Sequence, residues 1–255
     1  VGSEMCIRDR PYTPRKHQAH LHRQIDKHRW NVLVCHRRFG KTVCMINHLI
    51  RSALLSKLSN PRFAYIAPTF KQAKSIAWDY MKQFTAKIPH TKFNETELRV
   101  DLPNGARITL LGSESPDGLR GIYLDGCVID EYANVNSKLF PEIIRPALSD
   151  RKGYCVFIGT PMGMNNNFYE LYQHAQGADD WFNYKAKASD TKIVDNDELV
   201  KAKEVMGEKK YNQEFECDWI ANIEGAVYGD VIAKLDDDKQ LTRVPYDPAL
   251  PVSTA

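Results

Sequence analysis

The apolar positions of the chain fall into short unbroken runs, separated by stretches in which they recur every three or four residues. Val32–Val34, Phe63–Ala67, Cys127–Ile129 and Cys155–Ile158 have strand length and no polar alternation, the pattern of strands buried on both faces. Pro68 stops the second run. Past the first, Val43, Met45, Ile46, Leu49 and Ile50 recur at helical spacing. A further amphipathic helix is predicted over Gln72–Met81, with Ile76, Ala77, Tyr80 and Met81 inward. Leu98–Leu102 and Ala106–Leu111 flank Pro103-Asn104-Gly105, a hairpin signal in which Asn-Gly supplies positive φ angles. Helices follow over Phe140–Leu148, with Pro141 in the first turn, and over Asn167–Gln176. Then come an extended segment over Trp181–Ala188, helices over Asp197–Met206 and Lys209–Trp219, and a turn at Gly225–Gly229. Strands alternating with helices predict an α/β fold with a mostly parallel central sheet.

The two ends read differently. Val1–Arg10 has neither periodicity nor an apolar centre; it resembles a translated sequencing-adapter leader and is set aside as non-native or disordered. Residues 236–255 are charged and proline-bearing, as linkers are. The domain proper is therefore expected over 11–235, and no internal repeat divides it.

Composition narrows the class. A chain of 255 residues fits one large α/β domain or two small ones. Its 43% apolar and 26% charged residues are those of a globular protein. A net charge of +3 is too mild for a general nucleic-acid binder, so any DNA contact is local or shared among subunits. The six cysteines form no CxxC pair, and Cys35, Cys44, Cys127 and Cys155 lie in or beside apolar runs. That predicts reduced, buried thiols in a cytoplasmic setting. No apolar stretch approaches the roughly 20 residues of a membrane span, and no signal peptide precedes the domain.

The chemistry-bearing stretch is Cys35-His36-Arg37-Arg38-Phe39-Gly40-Lys41-Thr42, between the first strand and the first strong helix. Strand, tight loop ending in Gly-Lys-Thr, then helix is the architecture of a phosphate-binding loop. Backbone N–H groups and the helix N-terminus face the anion, the lysine reaches the β/γ-phosphates, and the threonine hydroxyl ligates Mg²⁺. The usual pattern begins with glycine, and Cys35 stands there instead. Arg37 and Arg38 add cations where bound phosphates would lie. Two further strand ends converge on this loop: Asp130-Glu131 and Gly159-Thr160-Pro161. Asp130 would hold Mg²⁺ through its water shell, Glu131 would orient and deprotonate an attacking water, and Thr160 would sense the γ-phosphate. Gln18, upstream of the loop, is a surface residue or an adenine reader. Arg120, in the polar loop Ser113–Gly121, is a solvated loop cation or the arginine that neutralises charge developing during phosphoryl transfer.

Taken in order, these features resemble the ATPase domain of the large terminase subunit of tailed bacteriophages. The set is Tyr12-Thr13-Pro14 with Gln18, the loop Arg37–Thr42, Ala67-Pro68-Thr69 with Gln72-Ala73, Leu119-Arg120-Gly121, Val128–Glu131, Gly159-Thr160-Pro161 and Tyr211–Asp218. A phosphate loop without its first glycine but with arginine inside is similar to that family's form. The resemblance implies a P-loop NTPase of ASCE, RecA-like type, a three-layer fold with a small lid subdomain built from about 180–235 and the N-terminal segment. It implies ATP and Mg²⁺, with Gln18, Arg37, Arg38, Phe39, Gly40, Lys41 and Thr42 on the nucleotide. Thr42 and Asp130 would hold the metal, and Glu131, Arg120, Arg37 and Thr160 would be catalytic, Arg120 reaching the next subunit. The implied partners are double-stranded DNA, the portal protein of the procapsid, the small terminase subunit and further copies in a pentameric ring. The implied place is the host cytoplasm, with no membrane. An RNase H-like nuclease domain is expected after the linker and lies outside this sequence. A superfamily 2 helicase shares Gln, Gly-Lys-Thr and Asp-Glu, but usually continues Asp-Glu-x-His or Asp-Glu-Ala-Asp where this chain has Asp130-Glu131-Tyr132-Ala133. A nucleotide-gated portal-docking module with little turnover has no use for Glu131.

Overall fold

The apolar runs become neighbouring strands of one sheet in the computed structural model, which describes residues 11–114 and 119–220. The readings of Val1–Arg10, of positions 115–118, of Gly225–Gly229 and of 236–255 lie outside the described residues. The strands are β1 (Trp30–Cys35), β2 (Arg62–Ala67), β3 (Lys92–Asn94), β4 (Arg99–Asp101), β5 (Arg107–Gly112), β6 (Gly126–Asp130), β7 (Tyr154–Gly159) and β8 (Trp181–Ala186). Their order is β3-β4-β5-β2-β6-β7-β1-β8. β5, β2, β6, β7, β1 and β8 run parallel; β3 and β4 are added antiparallel at one edge. Parallel strands share their carboxyl edge, so the ends of β1, β6 and β7 lie side by side: Val34 pairs with Gly159, and Ile158 with Asp130. β7 separates the phosphate-loop strand from the acidic strand, as the ASCE reading requires.

Alternation along each strand feeds two cores, one on each face. Leu33, Cys35, Tyr65, Val128, Val156 and Ile158 point to one. There they meet α1 (Lys16–Ile25), α2 (Lys41–Leu55) and the long helix α3, continuous through Phe70–Gln72, Ala73–Trp78 and Asp79–Thr85. Val32, Val34, Ala64, Ile66, Cys127, Ile129, Cys155 and Phe157 point to the other. They are covered by α4, continuous through Leu139–Ile144 and Arg145–Ala147, and by α5 (Asn167–Ala175). This is the expected three-layer arrangement.

Three expectations need correction. In α3, Ile76 and Tyr80 are exposed, while Ala73, Ala77, Trp78 and Met81 are buried; the π-helical turn over Ala73–Trp78 rotates the face away from its 3.6-residue phase. In the β4–β5 turn only Gly105 has positive φ, at 82°. Asn104 acts through its side chain, accepting from the Ala106 N–H at 3.2 Å and donating to the Ala53 carbonyl at 2.9 Å. Residues 181–186, expected in a lid, form β8 and pair with β1 in the main sheet. Beyond β8, α6 (Ala188–Thr191), α7 (Asn196–Met206) and α8 (Glu208–Phe215) share a small cluster around Ala188, Leu199 and Phe215. Trp219 lies past the end of α8 and packs on the α5 side of the sheet instead.

Candidate functional site: the carboxyl edge of the sheet

The loop after β1 is held from below and from both sides. Cys35 ends the strand fully buried, and burial pushes its thiol well up, so it stays protonated. It is not among the residues with positive φ; the left-handed conformations fall on Arg38 (71°) and Gly40 (86°). The position where the usual pattern has glycine therefore needs none here. Gly40 caps α2, and a Cβ there would come within 3.0 Å of Gln18 Nε2. Phe39 is fully buried with its ring edge against His36, so the expected nucleotide contact is not made by its side chain. His36, also buried, bonds the Arg37 carbonyl at 2.6 Å and Thr191 Oγ1 at 2.8 Å. Arg15 donates to the Phe39 carbonyl at 3.3 Å.

Gln18 is 4% exposed and so is no surface residue. Its Oε1 accepts from the Arg15 N–H at 3.0 Å and its Nε2 donates to the Gly40 carbonyl at 3.4 Å. Both halves of the amide are held by protein: the side chain ties α1 to the loop. Beside it, Arg15, Lys16, His17, Thr191, Lys192 and Ile193 line a cavity of about 380 Å³.

Lys41, the first residue of α2, joins the three strand ends. Its Nζ lies 3.6 Å from Glu131 Oε1 and donates to Thr160 Oγ1 at 3.4 Å. The Thr160 N–H faces the Glu131 carboxylate and favours its charged form. Glu131 itself sits at φ 48°, ψ 49°, a left-handed conformation that costs about 1–3 kcal/mol for a residue with a Cβ. That turn swings its side chain out of the strand alternation and toward Lys41. Strained residues of this kind cluster at active sites, and this one stands directly after β6. Burial raises the Glu131 carboxyl, opposed by Lys41.

Asp130 points into the α2 side of the sheet, two residues after Val128, whose register partner is Tyr65. The Tyr65 hydroxyl donates to Asp130 Oδ2 and faces the Thr42 side chain, which opposes the rise in the Tyr65 pKa. One phenol thus spans the two residues expected to hold a metal. A hydroxyl and a buried carboxylate within reach of one oxygen form an oxygen donor set that fits Mg²⁺. Burial raises the Asp130 carboxyl, against the pull of Tyr65 and Lys41; burial and Asp130 together raise Tyr65, which stays a donor.

Arg37, Lys41, Glu131, Asn134, Thr160, Pro161, Met162, Lys210, Gln213 and Glu214 line a cleft of about 360 Å³ over these groups. Arg38 is exposed and is not among its lining residues. Arg120 is 60% exposed, with its Nη2 3.9 Å from Glu142 Oε2; the structure does not bring it to the cleft. Sequence reasoning gave no role in the site to Tyr65 or to Lys210, Gln213 and Glu214, although the last two lie in the stretch Tyr211–Asp218. Tyr65 looks like core inside an apolar run, so no signal marked it. Lys210, Gln213 and Glu214 sit at i, i+3 and i+4, one helical face, and that spacing was readable.

Comparison with known proteins bears on the fold and the family. The fold matches the large terminase ATPase domain of Thermus phage P74-26 at a TM-score of 0.69 and 21% identity, covering 82% of this chain and 94% of that one. It matches the large terminase of a thermophilic bacteriophage, solved in complex with ADP, at 0.69 and 15%, covering 80% and 53%. The large terminase subunit of Thermus phage G20c is 30% identical over 126 residues, 42% of this chain and 26% of that protein; that of Thermus virus P23-45 aligns identically. The match thus spans about a quarter of the curated relatives' length. Residues 34–230 match the family described as the T4-like-virus-type terminase large subunit, N-terminal, and the chain belongs to that family.

Proposed function

We propose that the chain is the ATP-hydrolysing motor domain of a viral large terminase subunit, coupling hydrolysis to the movement of double-stranded DNA into a procapsid. The observation that carries the reading is Lys41 bridging Glu131 and Thr160 at the mouth of a cleft on the carboxyl edge of a parallel sheet. ATP would bring its β/γ-phosphates onto Lys41, the N–H groups of the loop and Arg37, with the base on the Gln18 side, beside the cavity at Arg15 and Thr191. Lys41 then turns from Glu131 to the phosphates, and Glu131 is released to orient and deprotonate water. Thr160 keeps its N–H on Glu131 while its hydroxyl follows Lys41. Thr42 and Asp130 would hold Mg²⁺, whose charge neutralises the phosphate oxygens. Arg120, remote from its own cleft, serves the site of a neighbouring copy in a ring. DNA, the portal protein, the small subunit and the host cytoplasm belong to the same proposal. Among the described residues, no helix is long and apolar enough to cross a membrane.

The test is steady-state ATP hydrolysis by the purified chain against protein concentration, with Lys41→Ala and Glu131→Gln as controls. The expected result is a rate per chain that rises with concentration, loss of binding in the first variant, and binding without turnover in the second. A chain that neither binds nor hydrolyses ATP with Mg²⁺ would overturn the reading.

A further inference from the structure

The helix α8 is fastened to both loops that carry the cleft. The Arg37 N–H donates to the Glu214 carbonyl at 2.8 Å. Gln213 Nε2 donates to the Pro161 carbonyl at 2.7 Å, a buried bond across 52 residues of sequence. Gln213 is 8% exposed, and its Oε1 accepts from Lys210 Nζ at 3.5 Å. Pro161 offers no N–H of its own, and it follows Thr160 directly. Its carbonyl, one residue past the Thr160 carbonyl, is the backbone group that Gln213 holds from α8.

Thr160 is where two catalytic contacts meet. Its N–H faces the Glu131 carboxylate and opposes the rise in its pKa, and its hydroxyl accepts from Lys41 at 3.4 Å. On the other side, Gly159 faces the Glu131 backbone and Phe168, which an added Cβ would reach at 3.4 and 3.3 Å. The segment 159–161 is thus clamped between the catalytic glutamate and Gln213.

From this geometry we infer that Gln213 is a positioning residue for Glu131: it holds the Pro161 carbonyl so that the Thr160 N–H stays aimed at the carboxylate. The same bond makes α8 responsive to the site. When Lys41 leaves Glu131 and Thr160 for the phosphates, any shift of the Thr160 peptide passes through Pro161 to Gln213 and so to the helix. The contacts to ATP itself, through the loop and Lys41, do not run through Gln213. Its loss should therefore be felt in turnover and not in nucleotide affinity. This rests on the ATPase reading above.

The experiment compares Gln213→Met, which keeps volume without a donor, Gln213→Glu, which keeps length without a donor at physiological pH, and Gln213→His, which restores a ring N–H. The measurements are kcat, the dissociation constant of a fluorescent ATP analogue, and the thermal midpoint of each protein. A misplaced catalytic group costs up to about 100-fold, so Met and Glu are expected to lower kcat by about tenfold or more, with nucleotide affinity within about twofold and His recovering most of the loss. The inference is overturned if Gln213→Met keeps its kcat. It is equally overturned if all three variants lose affinity and turnover in parallel with their thermal midpoints, which is the behaviour of a packing residue. Should Gln213→Met fail to fold, the Glu and His pair decides alone, since both are polar and only one donates. If the unsubstituted chain itself shows no turnover, the ATPase reading fails first and takes this inference with it.

Discussion

Two loops leave the carboxyl edge of the same sheet and are built in opposite ways. The loop between β1 and α2 is fastened on both sides of Arg38: His36 to Thr191, the Arg37 N–H to Glu214, Phe39 to Arg15 and into the core, Gly40 to Gln18. The loop between β5 and β6 carries Arg120 on an exposed stem, with an ion pair of 3.9 Å to Glu142 between two half-exposed side chains. Exposed pairs of that kind contribute about 0–1 kcal/mol. The first loop is held in one conformation by these bonds. The other presents a cation outward, away from its own cleft. The difference suggests which parts of the chemistry one chain completes alone and which await a neighbour.

The largest expected effect tests that division. If Arg120 acts as the charge-neutralising arginine of a neighbouring site, Arg120→Ala should lower turnover at assembling concentrations by about 10³-fold or more. Its thermal midpoint should stay unchanged, because the side chain is mostly in water. Mixing Arg120→Ala with Glu131→Gln then gives the decisive readout. Each variant supplies what the other lacks, so activity returns in the mixture only when the arginine works across subunits. Additive inactivity in the mixture would place Arg120 in its own subunit's site, and the contrast between the loops would be one of exposure alone.

A second, smaller effect lies under the fastened loop. Tyr65→Phe removes the hydroxyl that donates to Asp130 and faces Thr42. The ring still fills its place in the core, so the loss is confined to Asp130 Oδ2, while Oδ1 keeps the Glu131 N–H at 2.9 Å. That costs about 1–3 kcal/mol, read as a lower thermal midpoint in the absence of nucleotide. An unchanged midpoint would mean that the Glu131 N–H is enough to hold Asp130 and that Tyr65 is packing only. Where Arg120→Ala changes turnover without stability, Tyr65→Phe changes stability first; the pair separates the two regions with one measurement each.

What the sequence disclosed follows the same line. The strands β1, β2, β6 and β7 were legible because burial on both faces leaves an apolar run, and parallel pairing forces their ends to one edge. Lys41, Asp130, Glu131 and Thr160 were found by that logic, and the structure brings Lys41, Glu131 and Thr160 into contact. What was hidden depends on side-chain direction. Phe39 and Gln18 sit in motif positions yet point into the protein. Tyr65 spends a polar atom beneath an apolar run. Ile76 and Tyr80 face outward because a single π-helical turn shifts the phase of α3, which no periodicity count detects. Lys210, Gln213 and Glu214 share a helical face, but only the tertiary fold shows that this face closes the cleft.

The smallest predicted effect concerns Arg38, where the fastened loop carries a cost that the chemistry does not require. Arg38 holds φ at 71°, and a left-handed conformation costs an L-residue about 1–2 kcal/mol. Its side chain is exposed and is not among the residues lining the cleft, whereas Arg37 is. Glycine accepts this backbone but loses about 0.5–1 kcal/mol of unfolded-state freedom. Arg38→Gly is therefore expected to stabilise the chain by roughly 0.5 kcal/mol, a rise in thermal midpoint of about 1–2 °C for a domain of this size. ATP affinity and turnover should stay within about twofold, while Arg37→Ala should weaken both. If Arg38→Gly instead loses nucleotide, both arginines reach the phosphates, and the left-handed turn at Arg38 is there to aim its side chain at the anion.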